Sequence, residues 1–344
     1  MTPTKSDNLQ ADNQPQASIE KLTSLMADDL KAVNEVILAR MGSDVPMIPE
    51  LANHLIAAGG KRMRPMLTLA GAYAATGGKA KADSRALLLA AAVEFIHNAT
   101  LLHDDVIDES DKRRGRDSAN ALWGNEASVL VGDFLFARSF ELMVETDDIA
   151  VLGMLSSASA RITEGEVKQM TMAGRPDSPM SDYLDVITGK TAILFAAAAA
   201  SGAKVMGADQ TMIDALHHYG LCLGMAFQIV DDALDYRSDL GAMGKNSGDD
   251  FNDGKITMPV ILAWQDGDEA ERAFWQRTIG MGAIQDGDFE EAVRYLDSHK
   301  AIERALDEAT NYANQAIAAL SVITDPDLRD ALGDAARYTV ARKS

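Results

Sequence analysis

Apolar and polar residues alternate with a helical period along almost the whole chain. Apolar positions recur three and four residues apart, and alanine, leucine, methionine, glutamate and lysine, which favour helices, are common. No run of alternating β-branched residues is present, so no sheet is expected. The pattern predicts helices at 18–41, 47–58, 64–76, 84–108, 127–146, 148–173, 181–205, 209–237, 255–266, 269–280, 299–321 and 326–341.

Glycines divide these predicted helices. Gly59-Gly60 and Gly77-Gly78 follow apolar runs, as residues that end a helix do. The segments 111–116 and 241–254 are rich in glycine and charge and are predicted loops. Because no change in composition marks a boundary, we expect a flexible tail at residues 1–17 and a single all-α domain at residues 18–344.

The net charge of the chain argues against some classes of function. The 344 residues include 32 lysines and arginines against 52 aspartates and glutamates, a formal net charge of -20. Such a chain has no general attraction for nucleic acid or anionic lipid, so an anionic ligand would need a local basic cluster or bound cations. The single cysteine, Cys222, excludes an internal disulfide and favours a reducing compartment.

No secretory or membrane-spanning segment is predicted. Residues 1–16 are polar, and the longest uncharged apolar stretch, 191–203, is shorter than the ~20 residues of a transmembrane helix. We therefore expect a cytoplasmic protein without stable membrane insertion.

Two acidic motifs each follow a long apolar helix. The first is Asp104-Asp105-x-x-Asp108, and the second is Asp231-Asp232-x-x-Asp235. Residues four apart lie side by side on a helix, so each motif places two carboxylates on one face. A single motif of this kind is weak evidence for a metal site, because a solvent-exposed acidic helix face has the same sequence pattern. Two facing helices would instead form one anionic site able to hold several Mg²⁺ ions and a diphosphate.

A third match, Asp249-Asp250-x-x-Asp253, has a different setting. It lies between Gly248 and Gly254, which predicts a loop in which residues four apart need not be neighbours. We interpret it as a loop feature and not as a metal clamp.

Basic residues are concentrated in two short segments. Lys61, Arg62 and Arg64 stand between a glycine pair and a proline, and the segment 112–116 follows the first acidic motif. Arginine offers forked donors that fit phosphate, and lysine offers a point charge. Alternatively, each basic segment could simply balance acidic residues on the nearby surface. That interpretation explains two basic segments beside two acidic helices less well than diphosphate binding does.

Two other chemistries fit poorly. Gly189-Lys190-Thr191 resembles the end of a phosphate-binding P-loop, but Leu184 stands where its first glycine would be and no strand precedes it. Glu94-x-x-His97 suggests a di-iron bundle, which needs a second Glu-x-x-His pair that the sequence lacks.

Over about residues 20–344 the chain resembles trans-type polyprenyl diphosphate synthases of the long-chain (octaprenyl to decaprenyl) kind. The matching segments are 59–65, 97–114, 189–191, 227–235 and 244–255. The resemblance implies the type I isoprenoid synthase fold, an all-α helical bundle around a deep central cavity, usually as a homodimer. It implies head-to-tail condensation of isopentenyl diphosphate onto an allylic diphosphate such as farnesyl diphosphate, with two to three Mg²⁺ ions per site. The product's expected use is a quinone side chain.

The resemblance also assigns the site residues. Metal-binding Asp104 and Asp108 form one wall with Asp105 in support, and metal-binding Asp231 forms the other with Asp232 and Asp235 nearby. The isopentenyl diphosphate site is assigned to Lys61, Arg64, His97 and Arg114. The allylic diphosphate site is assigned to Arg113, Lys190, Thr191, Gln228, Lys245 and Lys255.

Small residues before the first acidic motif predict a long product. Ala99 and Thr100 lie roughly 6–7.5 Å deeper along the helix than Asp104, at 1.5 Å per residue. An aromatic ring at this level would stop a growing tail, but neither these residues nor Ile96 and Ala92, one to two turns further, are aromatic. The long apolar product is expected to bring the protein to a membrane surface.

Three alternatives remain open at this point. The first is a shorter-chain (geranylgeranyl) diphosphate synthase, the second a class I terpene cyclase, and the third a non-catalytic subunit of a heteromeric synthase. The paired Arg113-Arg114 and the basic segment 59–65 favour elongation, because a cyclase needs no second diphosphate site.

Overall fold

The computed structural model describes residues 14–57, 60–78, 81–113, 115–237 and 248–342. Arg114, Lys245 and residues 1–13 of the predicted tail lie outside this range. The first described helix begins at Gln14, inside the segment 1–17 that was predicted as a tail.

The described residues form an all-helical bundle, which confirms the predicted fold class. The long helices are α1 (Gln14–Leu25), α2 (Ala27–Arg40), α3 (Met47–Ala57), α4 (Met63–Thr76), α5 (Ser84–Ile107), α7 (Asn125–Glu145), α8 (Ile149–Met172), α9 (Met180–Ile187), α10 (Ile193–Val205), α11 (Gln210–Leu234), α13 (Met258–Asp266), α15 (Asp288–Ser298), α16 (Ala301–Ala319) and α17 (Pro326–Ala341). Shorter helices are α6 (Ala119–Trp123), α12 (Asp249–Asn252) and α14 (Glu269–Trp275).

The two helices that carry acidic motifs lie inside the bundle. Helix α5 packs against α4 and α7, and α11 packs against α10 and α16, while α10 fills the space between α4 and α11. Aspartates fix their starting points. The Asp83 carboxylate accepts hydrogen bonds from the Arg85 and Ala86 N–H groups, and the Asp209 carboxylate accepts one from the Met212 N–H group. Both helices end within their acidic motifs, at Ile107 and at Leu234.

Three local features differ from the sequence-based expectation. The predicted helix 181–205 is interrupted by a π-helical turn, Thr188–Ala192, and such turns often mark functional sites. Lys112–Arg113 and Arg116–Asp117 pair as a short antiparallel ribbon (β1 and β2), so the expectation of no sheet is wrong at this one place. Helix α15 was not predicted, because its acidic residues hide a short apolar face.

Two segments of the described chain, Ser84–Ile107 and Met180–Val205, are long and apolar enough to cross a membrane by length and composition alone. In the fold, however, 67% and 83% of these windows are buried, which is the behaviour of core helices.

Candidate active site

The first acidic wall and the acidic segment beside the second wall come together around Lys255. Its Nζ lies 3.8 Å from Asp108 Oδ2 on the first wall, and 3.4 Å from Asp250 Oδ1 and 2.9 Å from Asp253 Oδ2 on the segment beside the second. Burial alone would lower the pKa of Lys255, but Asp250 and Asp108 raise it above its usual range. The lysine therefore remains charged between the carboxylates.

The third acidic motif belongs to this site, which corrects its interpretation as a loop feature. Asp249–Asn252 form one helical turn, and Asp250 is half-buried in it. Its N–H donates to Asp235 Oδ2 at 2.9 Å. Burial, then the nearby Asp250, raises the pKa of Asp235 to about 6. The glycine-rich flanks concealed this helical turn from pattern analysis.

Asp105, the middle residue of the first motif, binds an arginine. It is 1% exposed, and Arg113 on β1 donates to it from Nε at 2.9–3.0 Å and from Nη2 at 2.7 Å. Such a forked pair holds the guanidinium in one orientation. Asp105 therefore positions Arg113, and its predicted support of the metal-binding aspartates stays a prediction.

Asp232, the middle residue of the second motif, has neutral partners. The Tyr183 hydroxyl donates to Oδ2 at 2.6 Å, and Gln228 Nε2 donates to Oδ1 at 2.8 Å. Burial, with a smaller contribution from Asp250, raises the pKa of Asp232 to about 8. Gln228 in turn accepts a hydrogen bond from Thr191 Oγ1 at 2.8 Å.

Asp104 faces a lysine and a second carboxylate. Burial, then the nearby Glu166, raises the pKa of Asp104 to about 7, while Lys190 opposes this. Lys190 Nζ lies 3.0 Å from Glu166 Oε2. Two glycines allow this approach of α8 to the π-helical turn: a Cβ on Gly165 would lie 2.6 Å from the Lys190 nitrogen, and one on Gly189 would lie 2.8 Å from the Arg161 oxygen.

Two cavities adjoin these walls, the first of them through Arg113, the partner of Asp105. The first, about 450 Å³, is lined by the predicted isopentenyl diphosphate residues Lys61, Arg64 and His97. The second, about 390 Å³, is lined by the predicted allylic-site residues Lys190, Gln228 and Lys255 and by Asp108 and Asp232. Arg113, which was assigned to the allylic site, lines the first cavity.

The comparisons decide the family. The family model described as polyprenyl synthetase matches residues 45–296. The chain belongs to the polyprenyl synthetase family. It is 42% identical over 329 residues to octaprenyl diphosphate synthase of Escherichia coli (strain K12), which covers 94% of this chain and 99% of that protein.

Solved members of the family have the same fold. A decaprenyl diphosphate synthase from Rhodobacter capsulatus is 50% identical, with a TM-score of 0.90, covering 95% of this chain and 99% of that one. A polyprenyl synthase from Caulobacter crescentus, complexed with calcium and isoprenyl diphosphate, is 47% identical, also with a TM-score of 0.90, covering 95% and 98%. The type I isoprenoid synthase fold is thereby confirmed.

The C-terminal helix and the residue that follows it contribute side chains to this site that sequence analysis missed. Arg342 Nη2 lies 2.7 Å from Asp231 Oδ1 and donates to the Phe227 carbonyl at 2.8 Å. Tyr338 accepts a hydrogen bond from Lys61 Nζ at 2.6 Å, and the lysine also lies over its ring. Because both residues stand at the far end of the chain, no local motif connects them to the acidic walls.

Arg62 and Glu94 were also missed as a pair. Arg62 lies in the left-handed region at φ 48°, just before α4, and its guanidinium pairs with the buried Glu94 carboxylate. Both residues line the first cavity. The pair fixes the direction of the basic segment that carries Lys61 and Arg64.

The donors of the site fit a divalent cation. Within the described part of the chain, no three carboxylate, imidazole or thiolate side chains already form a metal cluster. The carboxylates stand at the C-terminal ends of helices, where the helix dipole disfavours negative charge. Burial and acidic neighbours raise the pKa of Asp104. The site supplies only some of the ligands that a divalent cation needs. It therefore suits ions such as Mg²⁺, which take waters and diphosphate oxygens as their remaining ligands.

The residues expected to set product length lie on one buried stretch of α5. Ala92 and Ile96 are fully buried and Ala99 is 1% exposed. Thr100 is half-buried, and its hydroxyl donates to the His97 carbonyl at 2.9 Å. Their effect on product length stays a prediction.

Proposed function

We propose that this member of the family condenses isopentenyl diphosphate head-to-tail onto an allylic diphosphate in the cytoplasm, and repeats the step to octaprenyl to decaprenyl length. One observation carries the proposal: the first acidic wall and the acidic segment beside the second wall meet around Lys255, and a basic cavity adjoins them through Arg113. A site for two diphosphates needs this division, because one diphosphate must ionise while the other must stay intact.

The allylic diphosphate lies between the acidic walls in this proposal. Its carbon–oxygen bond breaks, which leaves an allylic cation and an anionic diphosphate. Lys190 and Lys255 stabilise the departing charge, because fixed charges in a buried site lose little energy to reorganisation. Two to three Mg²⁺ ions, held by Asp104, Asp108 and Asp231, would neutralise the leaving group further.

Isopentenyl diphosphate binds in the basic cavity. Lys61, Arg64 and His97 hold its diphosphate, and Arg114 is assigned here by resemblance. Phe195 and Phe227 also line this cavity, with the Arg64 guanidinium 4.5 Å from the centre of the Phe195 ring. The double bond attacks the allylic cation, a new carbon–carbon bond forms, and a proton is lost to the released diphosphate. The apolar lining keeps water from the cation.

Condensation by the purified chain tests the proposal. The chain is incubated with Mg²⁺, farnesyl diphosphate and isopentenyl diphosphate, and product masses are measured. We expect linear prenyl diphosphates of eight to ten isoprene units. A cyclic hydrocarbon would indicate a terpene cyclase, a product of four units a geranylgeranyl synthase, and no turnover with a folded chain a non-catalytic subunit.

Ala99 is proposed to keep the path of the growing tail open. Ala99→Tyr should shorten the main product made from farnesyl diphosphate to about twenty carbons, because the ring stands about one turn below Asp104. The first condensation should persist, since the diphosphate sites are untouched. Circular dichroism checks the fold, and wild-type product length in the folded variant would contradict this placement.

We also propose that α7 pairs with a second copy of the chain. Its inner face packs into the core through Leu135 and Leu142, yet Leu130 and Val144 are 67% and 62% exposed. A helix that is apolar on both sides is usually covered on both. Leu130→Glu should therefore shift sedimentation from dimer to monomer, whereas a monomeric wild type would contradict the pairing.

A further inference from the structure

Two arginines and two phenylalanines lie together in the wall of the first cavity. The Arg64 guanidinium lies 4.5 Å from the centre of the Phe195 ring, and the Arg342 guanidinium lies 4.1 Å from the centre of the Phe227 ring. The two ring centres are 5.7 Å apart. All four residues line this cavity, so each ring supports one of its cations.

Close helix packing holds Phe195 in place. The residue is 1% exposed and stands on α10, between α4 and α11. A Cβ on Gly220 of α11 would overlap the Phe195 carbonyl oxygen, and one on Gly202 of α10 would overlap the Thr68 carbonyl oxygen of α4. The backbones of the three helices are therefore in contact, and the segment that carries the ring has little freedom to move.

The Arg64 side chain gains more from such support than a rigid residue would. Its guanidinium stands at the end of a long side chain with several rotatable bonds, and the residue is only half-buried. A ring face attracts a cation through its negative π-electron density and uses none of the N–H groups of the guanidinium. The ring therefore restricts the position of the charge without occupying the donors that bind a diphosphate.

We propose that Phe195 is a positioning residue of the isopentenyl diphosphate site, which holds the Arg64 guanidinium in place before the substrate arrives. The inference rests on the proposed function and deepens its account of that site. A cation that is already in place loses less conformational entropy when the substrate binds, so the substrate binds more tightly. Phe195 thus contributes to the affinity for one substrate and not to the chemical step.

Phe195→Leu tests this role, because it removes the ring face and keeps an apolar side chain. The protein is saturated with Mg²⁺ and with farnesyl thiodiphosphate, an unreactive allylic analogue, and isopentenyl diphosphate is then titrated in a calorimeter. We expect the Kd for isopentenyl diphosphate to rise about fivefold, as for the loss of one partly desolvated contact between a cation and a ring. In steady-state turnover, kcat and the KM for the allylic diphosphate should stay within about twofold.

A ring that served only to exclude water would give a different pattern. Its loss would lower kcat and leave the Kd for isopentenyl diphosphate unchanged, and that result would overturn the inference. Phe274→Leu is the matched control. Phe274 is also buried, with the Arg277 guanidinium 5.4 Å from its ring centre, but it lines neither cavity. The Kd should not change in this control, and an equal rise there would overturn the inference as general damage.

A double-variant cycle shows whether the ring acts through Arg64. In an Arg64→Ala background, Phe195→Leu should cause no further rise in the Kd, because the cation that the ring holds is absent. A further fivefold rise would overturn the inference, as would an unchanged Kd in the single variant. If circular dichroism shows that Phe195→Leu does not fold, Phe195→Met removes the ring with a more adaptable side chain and takes its place with the same outcomes.

Wild-type condensation is measured first. An inactive wild type would overturn the proposed function and this inference with it. An active wild type whose affinity for isopentenyl diphosphate does not respond to Phe195→Leu would overturn the inference alone.

Discussion

The two acidic walls have the same sequence pattern but different surroundings. In the first, the buried middle aspartate, Asp105, is bound by the charged fork of Arg113. In the second, the buried Asp232 is held by the uncharged Tyr183 and Gln228, and burial raises its pKa to about 8. One motif thus supports two different structures. In both walls the middle aspartate is buried and holds a neighbouring side chain in place. In the first wall that neighbour is a charged arginine, and in the second the neighbours are uncharged hydrogen-bond donors.

The outer carboxylates are more alike. Asp108 lies near Lys255, and Asp231 is paired with Arg342. In each wall a side-chain cation stands beside a carboxylate that is expected to bind metal. The walls should therefore respond alike when outer carboxylates are changed and differently when middle ones are changed.

The largest effect is expected from the outer carboxylates. Asp104→Asn and Asp231→Asn should each lower kcat by about 100-fold to 1,000-fold, since each removes a major source of charge stabilisation. Steady-state turnover at saturating Mg²⁺ measures this, with circular dichroism to check the fold. Near-normal turnover in either folded variant would remove that wall from the metal site.

The middle carboxylates should differ in stability. Arg113→Ala leaves the buried Asp105 charge without its partner and should lower the free energy of unfolding by about 2–3 kcal/mol, below the full value for a buried pair because Arg113 is partly exposed. Tyr183→Phe at pH 6, where Asp232 is protonated, loses one neutral hydrogen bond, or about 1 kcal/mol. Urea unfolding measures both, and equal losses would contradict the contrast.

The sequence predicts the metal-binding aspartates of the two walls better than it predicts the residues that hold the middle aspartates in place. Asp104, Asp108 and Asp231 follow from helical spacing, and the basic residues Lys61 and Arg64 follow from their density. Each of these signals is local in the chain.

The remaining contributions come from distant segments. Arg342 reaches Asp231 from the C-terminal end, and Tyr183 reaches Asp232 from another helix. Asp250 was visible as part of a motif, but its glycine-rich flanks concealed the helical turn that carries it. Such contacts depend on how the helices pack, which periodicity does not specify.

Acid–base behaviour should show a smaller effect. Burial raises the pKa of Asp104 to about 7 and of Asp232 to about 8, against 3.8 for an ordinary aspartate. The folded protein therefore binds more protons than the unfolded chain between about pH 4 and about pH 8. The stability of the metal-free protein should fall as the pH rises across this range and level off above it.

Thermal unfolding between pH 6 and pH 8 measures this effect. We expect Tm to fall by several degrees without metal, and millimolar Mg²⁺ to raise Tm more at pH 8 than at pH 6, since it binds the ionised carboxylates. Asp104→Asn should remove part of the Mg²⁺ effect, whereas Asp232→Asn should reduce only the metal-free slope. An Mg²⁺ effect that is larger at pH 6 would contradict this assignment.

Calorimetric binding of an unreactive allylic ligand tests the central claim that both walls hold one diphosphate. Farnesyl thiodiphosphate, whose sulfur bridge resists ionisation, is titrated into the wild-type protein and into the Asp104→Asn and Asp231→Asn variants, with and without Mg²⁺. The account predicts tight binding only to wild type with Mg²⁺, and at least about tenfold weaker binding to each variant. Full affinity in the Asp231→Asn variant, or equal wild-type affinity without Mg²⁺, would contradict it.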